Sequence, residues 1–186
     1  MADALATQLA GDTRPPLILA QDEGCFGRIS RPHACWAPSR IRPDVPSQVV
    51  REVISAYTAV APSLGKLCTL LLPTADTESM NMFLQEVSRT FSHSFLIMQV
   101  DGAGWHHAKE LIIPENIRLM TQPPYSPELN PVEHMWDDIR EKYFHNRVFQ
   151  SMDDIIERLC EAFNALEDDP DRITSLTFFP HLRVTV

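Results

Sequence analysis

The sequence predicts an α/β fold in which a mixed central sheet of about five strands is flanked by helices. Short apolar or β-branched runs indicate the strands, and longer segments with apolar residues every three or four positions indicate the helices. Two strands come early as a hairpin, whereas strands and helices alternate later, which is typical of parallel strands joined by crossovers.

The first half of the chain is predicted to be mostly strand. The apolar run 17–21 is a buried strand that stops at Asp22. Segment 24–47 is rich in Gly, Pro and Ser, so it is predicted to be a loop with an irregular strand at most. Segments 49–60 and 66–73 are predicted to pair as a hairpin across a short turn.

The second half alternates in type. A helix capped by Asp76 or Thr77 is predicted from apolar residues at helical spacing: Met80, Phe83, Leu84, Val87 and Phe91. The elements after it are a strand, a short helix, a strand and two helices, at 94–100, about 105–112, 116–120, Pro131 to about Phe144, and from Ser151 onward. Ser151 and Asp154 have the spacing of a capping box. No element is predicted for 168–186.

The charges are unevenly distributed. The net charge is −9, which argues mildly against broad nucleic-acid binding. Four arginines, and no acid, lie between positions 28 and 42: Arg28, Arg31, Arg40 and Arg42. The late acids are Asp153, Asp154, Glu157, Glu161, Glu167, Asp168, Asp169 and Asp171. Either the arginine segment faces phosphates, or both runs are ordinary solvated surface.

The cysteines and the apolar runs exclude other classes. Four scattered cysteines without a CxxC pair indicate free thiols in a reducing compartment and argue against a zinc site: Cys25, Cys35, Cys68 and Cys160. No signal peptide is expected from the first 16 residues, and no apolar run reaches the ~18 residues of a membrane span.

Two predicted buried strands are followed by acids, Asp22 and Asp101. Ligands of open α/β sheets gather at the carboxyl ends of strands, so neighbouring strands would place these two side chains together. Two carboxylates so placed repel each other, and one takes a raised pKa unless a cation neutralises them. Magnesium suits such oxygen ligands. The alternative is that each Asp only ends a strand and starts a turn.

The stretch PPYSPELNPVEHMW, at 123–136, leads stiffly into a helix. Asn130 suits the N-cap, Pro131 suits the first helical position, and Glu133 falls at the third. Glu133 is then either the acid of a capping box or an acid that the proline-rich arm holds at a fixed point. The pattern alone leaves both open.

These segments together resemble the catalytic core of the DDE-type transposases, most closely the mariner-like group and its bacterial insertion-sequence relatives. The resemblance rests on an apolar strand ending in Asp101 with His106 five residues on, and on PPYSPELNPVE with Trp136 three residues after Glu133. A weaker piece, QDEGCFGR, corresponds to the segment of the first acid, Asp22. Similarity extends over about residues 17–150.

The resemblance implies an RNase H-like fold with Asp22, Asp101 and Glu133 as catalytic acids and metal ligands. Glu133 follows Asp101 by 32 positions, which is within the usual range of the family. It also implies two Mg²⁺ (or Mn²⁺) ions that activate a water or a DNA 3′-hydroxyl and stabilise the leaving oxygen. The implied partners are DNA, as transposon ends and target, and further copies of the chain in a homodimer or larger synaptic assembly. A bacterial, cytoplasmic location is expected.

The other residues of the motifs have more than one interpretation. His106 either contacts DNA phosphate, holds Asp101, or is a structural residue at a helix start. Trp136 is interpreted as a core residue. Some of the four arginines between 28 and 42 are hypothesised to track the DNA backbone. Gly102 stands where the family commonly has Asn.

The expected organisation is an N-terminal extension at 1–16, a catalytic domain at 17–167 and a C-terminal tail at 168–186. The family usually carries an N-terminal helix-turn-helix domain, and this chain begins almost at the first catalytic strand. It therefore resembles a catalytic half, whether truncated, a split-gene product or a decayed copy. The alternatives to a transposase core are an inactive remnant that serves only binding or assembly, and another RNase H-like nuclease.

Overall fold

The computed structural model describes residues 12–30 and 32–182, and its centre is one five-stranded sheet. The strands, in chain order, are β1 Pro16–Ile29, β2 Val49–Ala61, β3 Lys66–Leu72, β4 Phe95–Val100 and β5 Ile117–Thr121. They lie in the order β3-β2-β1-β4-β5. The first three pair antiparallel, and β1, β4 and β5 pair parallel, so the predicted mixed sheet is confirmed.

In the described part of the chain, four α-helices cover this sheet: α1 Thr77–Thr90, α2 Val132–Ile139, α3 Met152–Glu167 and α4 Pro170–Thr177. Helix α2 continues as a π-helical turn over Arg140–Phe144, so the predicted extent of that helix is nearly right. Short 3-10 helices lie at Gly104–His107, Pro127–Leu129 and Pro180–Leu182. No helix among the described residues is long and apolar enough to cross a membrane.

Each face of the sheet buries its own core. Leu19 and Tyr57 pack with α1 on one face, whereas Ala20 and Phe26 pack with α2, α3 and α4 on the other. Side chains alternate between the two faces along a strand. Consecutive residues of β1 therefore serve opposite sides of the molecule.

The predicted caps of α1 and α3 are present, whereas the N-cap of α2 is Pro131 and not the predicted Asn130. The Asp76 carboxylate accepts a hydrogen bond from the Ser79 amide at 2.9 Å, which caps α1. Ser151 and Asp154 form the predicted capping box of α3, because each side chain accepts from the other residue's amide. These local signals fixed the helix starts without help from the rest of the fold.

The predicted loop at 24–47 is correct for residues 32–47, which have no helix or strand, but wrong for residues 24–29. Strand β1 runs through Asp22 to Ile29, because residues as far as Gly27 pair continuously with β2. The two strands come so close at Gly27 that a Cβ there would lie 2.5 Å from the Glu52 carbonyl oxygen. The Gly-rich composition that indicated a loop is here what permits close pairing.

Two other segments also differ from prediction. The helix expected at about 105–112 is only the 3-10 turn Gly104–His107. Within 168–186, for which no element is predicted, the structure has α4, and Ile173 and Leu182 are buried in the same core as Trp136. The described residues 168–182 therefore pack onto the fold.

Candidate active site

Asp22 lies in the middle of β1, not at the end of a strand as the sequence suggested. The parallel ladder between β1 and β4 pairs Ala20 with Gln99, and Asp22 and Asp101 each follow two residues later. Residues two apart share a face of the strand, so equal offsets direct both residues to the same face of the sheet, where both line one cleft. The two strands are neighbours as expected and both acids line one cleft, although only Asp101 follows the end of its strand.

Glu133 reaches the same place from the first turn of α2. The helix is held at its start by Asn130, whose Oδ1 accepts from the Val132 amide at 3.2 Å. Asn130 Nδ2 donates to the Gln21 carbonyl at 2.9 Å, which ties the helix start to β1 beside Asp22. The Asn130 amide donates to the Pro127 carbonyl at 2.9 Å, so the capping box that would occupy Glu133 does not form.

All three acids line one cleft of about 470 Å³. The proline-rich arm forms a wall of this cleft, which is lined by Asp22, Asp101, Gly102, Ala103, Gln122, Pro123, Pro124, Tyr125, Ser126, Pro127, Asn130 and Glu133. Tyr125 is fully exposed and has a φ of 58°, a conformation that is uncommon for a non-glycine residue. The stiff lead-in thus shapes the cleft as well as fixing the start of α2.

The cleft concentrates negative charge. Burial, together with the charge of Glu133 and, less, of Glu23, raises the pKa of Asp22 from its ordinary value of 3.8 to about 7. The cause therefore differs from the predicted repulsion by Asp101. None of the residues that line the cleft is a lysine or an arginine. A set of carboxylate oxygens with no lysine or arginine among the lining residues fits a divalent cation such as Mg²⁺.

Trp136 has a second role that the sequence did not indicate. It is 1% exposed, so its interpretation as a core residue is confirmed. Its indole Nε1–H also donates to Asp22 Oδ2 at 2.9 Å, and this bond opposes the rise in the pKa of Asp22. The one available signal was its position, one helical turn after Glu133 on the helix that faces β1.

His106 is buried behind Asp101. Its Nδ1 lies 2.9 Å from Asp101 Oδ1, and its Nε2 lies 3.2 Å from Glu23 Oε1. Burial opposes a charged ring, but the hydrogen bond and charge of Glu23, together with Asp101, outweigh it and raise the pKa of His106. The geometry favours the interpretation that His106 holds Asp101 over contact with DNA. Glu23 was missed because it is the inconspicuous neighbour of Asp22.

The arginines predicted to meet DNA are not equivalent. Arg28 pairs with Glu52 at 2.7 Å and donates to the Phe149 carbonyl at 3.0 Å, so it serves the fold. Arg40 and Arg42 are exposed. Arg31 lies outside the described residues.

Comparisons with known proteins agree with this architecture. The sequence matches the family described as DDE superfamily endonuclease over residues 18–156. The uncharacterised protein y4pE/y4sA of Sinorhizobium fredii (strain NBRC 101917 / NGR234) is 45% identical over 123 residues, which are 64% of this chain and 90% of that protein.

Among solved structures, the pre-cleavage Mos1 transpososome has a TM-score of 0.61 at 12% identity, covering 95% of this chain and 59% of that chain. The mariner Mos1 paired end complex with Mg has a TM-score of 0.60 at 15% identity, covering 95% of this chain and 56% of that chain. This chain thus spans somewhat under three-fifths of the length of these Mos1 chains. At such identities the likeness shows the fold alone, and it confirms the predicted RNase H-like fold.

The family match covers most of the chain and includes β1, the end of β4 and the start of α2, which supply the three acids of the cleft. The chain therefore belongs to the DDE superfamily endonucleases.

Proposed function

We propose that this chain is the catalytic core of a transposase that cleaves DNA strands and joins them to a target, with Asp22, Asp101 and Glu133 as its catalytic acids. The observation that carries the proposal is the convergence of these three acids on one open cleft. They come from a strand, from the end of the neighbouring parallel strand, and from the start of a helix. The chain is a DDE superfamily endonuclease, and strand transfer is the finer step proposed.

The same three acids would hold two Mg²⁺ (or Mn²⁺) ions. When bound, such ions supply a Lewis acid for the attacking water or 3′-hydroxyl and for the leaving oxygen. The protein contributes the positions of the ligands. Trp136 fixes one oxygen of Asp22, and Asn130 ties the helix that carries Glu133 to β1. Asp22 exchanges its proton near neutral pH, so it can give up that proton when a cation arrives.

The Mos1 structures support DNA as the substrate. They are described as a pre-cleavage transpososome, a strand transfer complex and paired end complexes, including one with a left transposon end. By analogy, this chain would act on transposon ends within a paired assembly of two or more copies. Because it spans somewhat under three-fifths of those chains, such recognition and pairing are proposals about the whole protein.

For the DNA backbone we propose contacts from Arg40 and Arg42, which are exposed on the segment between β1 and β2. Arg28 would contribute little, because Glu52 and the Phe149 carbonyl already engage it. Replacing Arg40 and Arg42 together with Gln should reduce the slope of log affinity against log salt by about 2. The matched change Arg28→Gln should leave that slope almost unaltered.

A cleavage assay tests the proposed function. A labelled duplex carrying the inverted repeats that flank the coding sequence should be nicked in Mg²⁺ or Mn²⁺ by the wild type. Asp101→Asn and Glu133→Gln should abolish nicking, whereas Asp137→Asn, an exposed acid of α2, should retain it. Joining of the 3′-end to a second duplex tests strand transfer.

A four-way junction and an RNA–DNA hybrid complete the substrate panel. Preference for either of them over the end duplex would favour another RNase H-like nuclease. Metal binding without cleavage of any substrate would favour the inactive remnant, and would contradict the proposal for this chain.

A further inference from the structure

Three residues form a continuous contact chain behind the cleft. His106 Nε2 lies 3.2 Å from Glu23 Oε1, and His106 Nδ1 lies 2.9 Å from Asp101 Oδ1 and 3.1 Å from the Asp101 carbonyl. Glu23 Oε1 also accepts from Gln21 Nε2 at 3.0 Å. The side chain of His106 is 0% exposed and that of Glu23 is 9% exposed, so solvent hardly competes for these contacts.

Strand alternation explains how β1 reaches Asp101 from behind. Asp22 points to the face of Trp136, whereas its neighbour Glu23 points to the face of Tyr57 and α1. Asp22 thus contributes an acid to the cleft, and Glu23 contributes an acid on the opposite face of the sheet. The second acid acts through His106, because the 3-10 turn Gly104–His107 brings that ring between Glu23 and Asp101.

The contacts fix one oxygen of Asp101. Its side chain is 39% exposed and follows the last residue of β4, so the strand does not constrain it. The Ala103 amide donates to Asp101 Oδ1 at 2.8 Å, and His106 Nδ1 lies against the same oxygen. Within the part of the chain that the structure describes, both contacts of the carboxylate thus use Oδ1. Oδ2 is then the oxygen left to a ligand in the cleft.

Glu23, Asp101 and His106 also offer ligand atoms that lie within 4.8 Å of one another, which suggests a metal site made of these three residues. Their geometry argues against it. Nε2 is in hydrogen-bond contact with Glu23 Oε1 at 3.2 Å, whereas Nδ1 is in hydrogen-bond contact with the Asp101 carbonyl at 3.1 Å and lies 2.9 Å from Asp101 Oδ1. Nε2 faces Glu23 and Nδ1 faces Asp101, and the two nitrogens of one ring point in different directions, so an ion bound to either nitrogen would lie away from the other carboxylate.

We propose that Glu23 and His106 are positioning residues that hold the Asp101 carboxylate in the orientation that binds a divalent cation. The inference rests on the proposed function in one respect, that the cleft binds such a cation. Partners that orient a metal ligand typically affect metal affinity by about 10–100-fold.

Mn²⁺ titration followed by calorimetry tests this without any DNA. Glu23→Gln, which keeps the shape of the side chain, and His106→Leu should each weaken Mn²⁺ binding about 10-fold or more relative to the wild type. His106→Asn places an amide N–H near the position of Nδ1, so its affinity should fall between those of the wild type and His106→Leu. The matched controls are His93→Ala and Glu141→Gln, both exposed and expected to bind like the wild type.

The histidine variants separate positioning from simple electrostatics. Removing Glu23 also removes a negative charge, which by itself weakens cation binding. Removing His106 deletes no negative charge, so electrostatics alone predicts unchanged or tighter binding. Weaker binding by His106→Leu therefore supports positioning, and unchanged or tighter binding overturns it.

Two further outcomes are decisive. Urea unfolding in EDTA shows whether a variant is folded, and a folded Glu23→Gln protein with wild-type Mn²⁺ affinity would overturn the proposal even if His106→Leu fails to fold. A wild type that takes up no Mn²⁺ overturns the proposal together with its premise. If only the proposed function fails, the wild type would bind Mn²⁺ and the Glu23 and His106 variants would lose Mn²⁺ affinity, but no DNA would be cleaved.

Discussion

Replacing Asp22 with Asn should stabilise the metal-free protein, although it removes one of the three proposed catalytic acids. Burial and the charge of Glu133 raise the pKa of Asp22 to about 7, so ionised Asp22 is unfavourable in the folded state. Asn has nearly the same shape and cannot ionise. Its amide oxygen can still accept the bond that Trp136 donates to Asp22 at 2.9 Å.

The magnitude follows from the two pKa values of Asp22, 3.8 as its ordinary value and about 7 in the fold. Each unit of difference corresponds to about 1.4 kcal/mol, so the full cost above pH 7 is roughly 4 kcal/mol. Because the folded pKa is raised, the penalty is absent below the unfolded pKa and grows as pH rises towards the folded pKa. At pH 5 it should be about 1.5 kcal/mol.

Structural relaxation around ionised Asp22 reduces these energies. We therefore expect Asp22→Asn to raise the free energy of unfolding by about 2–4 kcal/mol at pH 8 and by clearly less at pH 5. The assay is urea unfolding in EDTA at both pH values. Asp137→Asn, an exposed acid of α2, is the control and should change stability by less than about 0.5 kcal/mol. A destabilised Asp22→Asn protein at pH 8, or a gain that is equal at both pH values, would refute the electrostatic account of the site.

Three other outcomes follow from the same geometry. The affinity for a divalent cation should fall as pH drops below about 7, by up to tenfold per pH unit, because a proton competes with the cation for Asp22. Calorimetry in two buffers of different ionisation enthalpy should detect the proton that Asp22 releases on binding. Trp136→Phe should lower the free energy of unfolding by about 1–3 kcal/mol, and by more at pH 8 than at pH 5, because the indole hydrogen bond that it removes stabilises ionised Asp22. An equal loss at both pH values in urea unfolding would contradict this. Gly24→Ala should lower the free energy of unfolding by about 1–3 kcal/mol, because the added Cβ would lie 2.9 Å from the rings of both Phe26 and Trp136. The control Gly102→Ala, whose Cβ would have nothing within 4 Å, should leave the free energy of unfolding almost unchanged.

Local sequence signals were sufficient where one short segment decides its own structure. Helices α1 and α3 begin at the predicted caps, since a cap needs only a side chain and an amide three residues apart. The strands were recognisable by their apolar runs, and the motif around Glu133 identified the family. The acids Asp22, Asp101 and Glu133 were accordingly named from the sequence, and the structure places them around one cleft.

Composition misled where pairing with a distant segment decided the outcome. The glycines after Asp22 indicated a loop, yet β2 pairs with that segment and extends β1 to Ile29. The same extension places Glu23 within a strand, so that it faces away from Asp22.

The sequence by itself thus determined the fold class and the order of most elements, and it singled out three acids that line one cleft. Only the tertiary structure decided what supports those acids: Trp136 on Asp22, Asn130 on the Gln21 carbonyl, and His106 between Glu23 and Asp101. The physical reason is that hydrogen bonds act over about 3 Å, and these partners are mostly about 80 to 115 positions apart in the chain. Strand register and helix packing bring these partners together, and neither can be predicted from a short segment of the sequence.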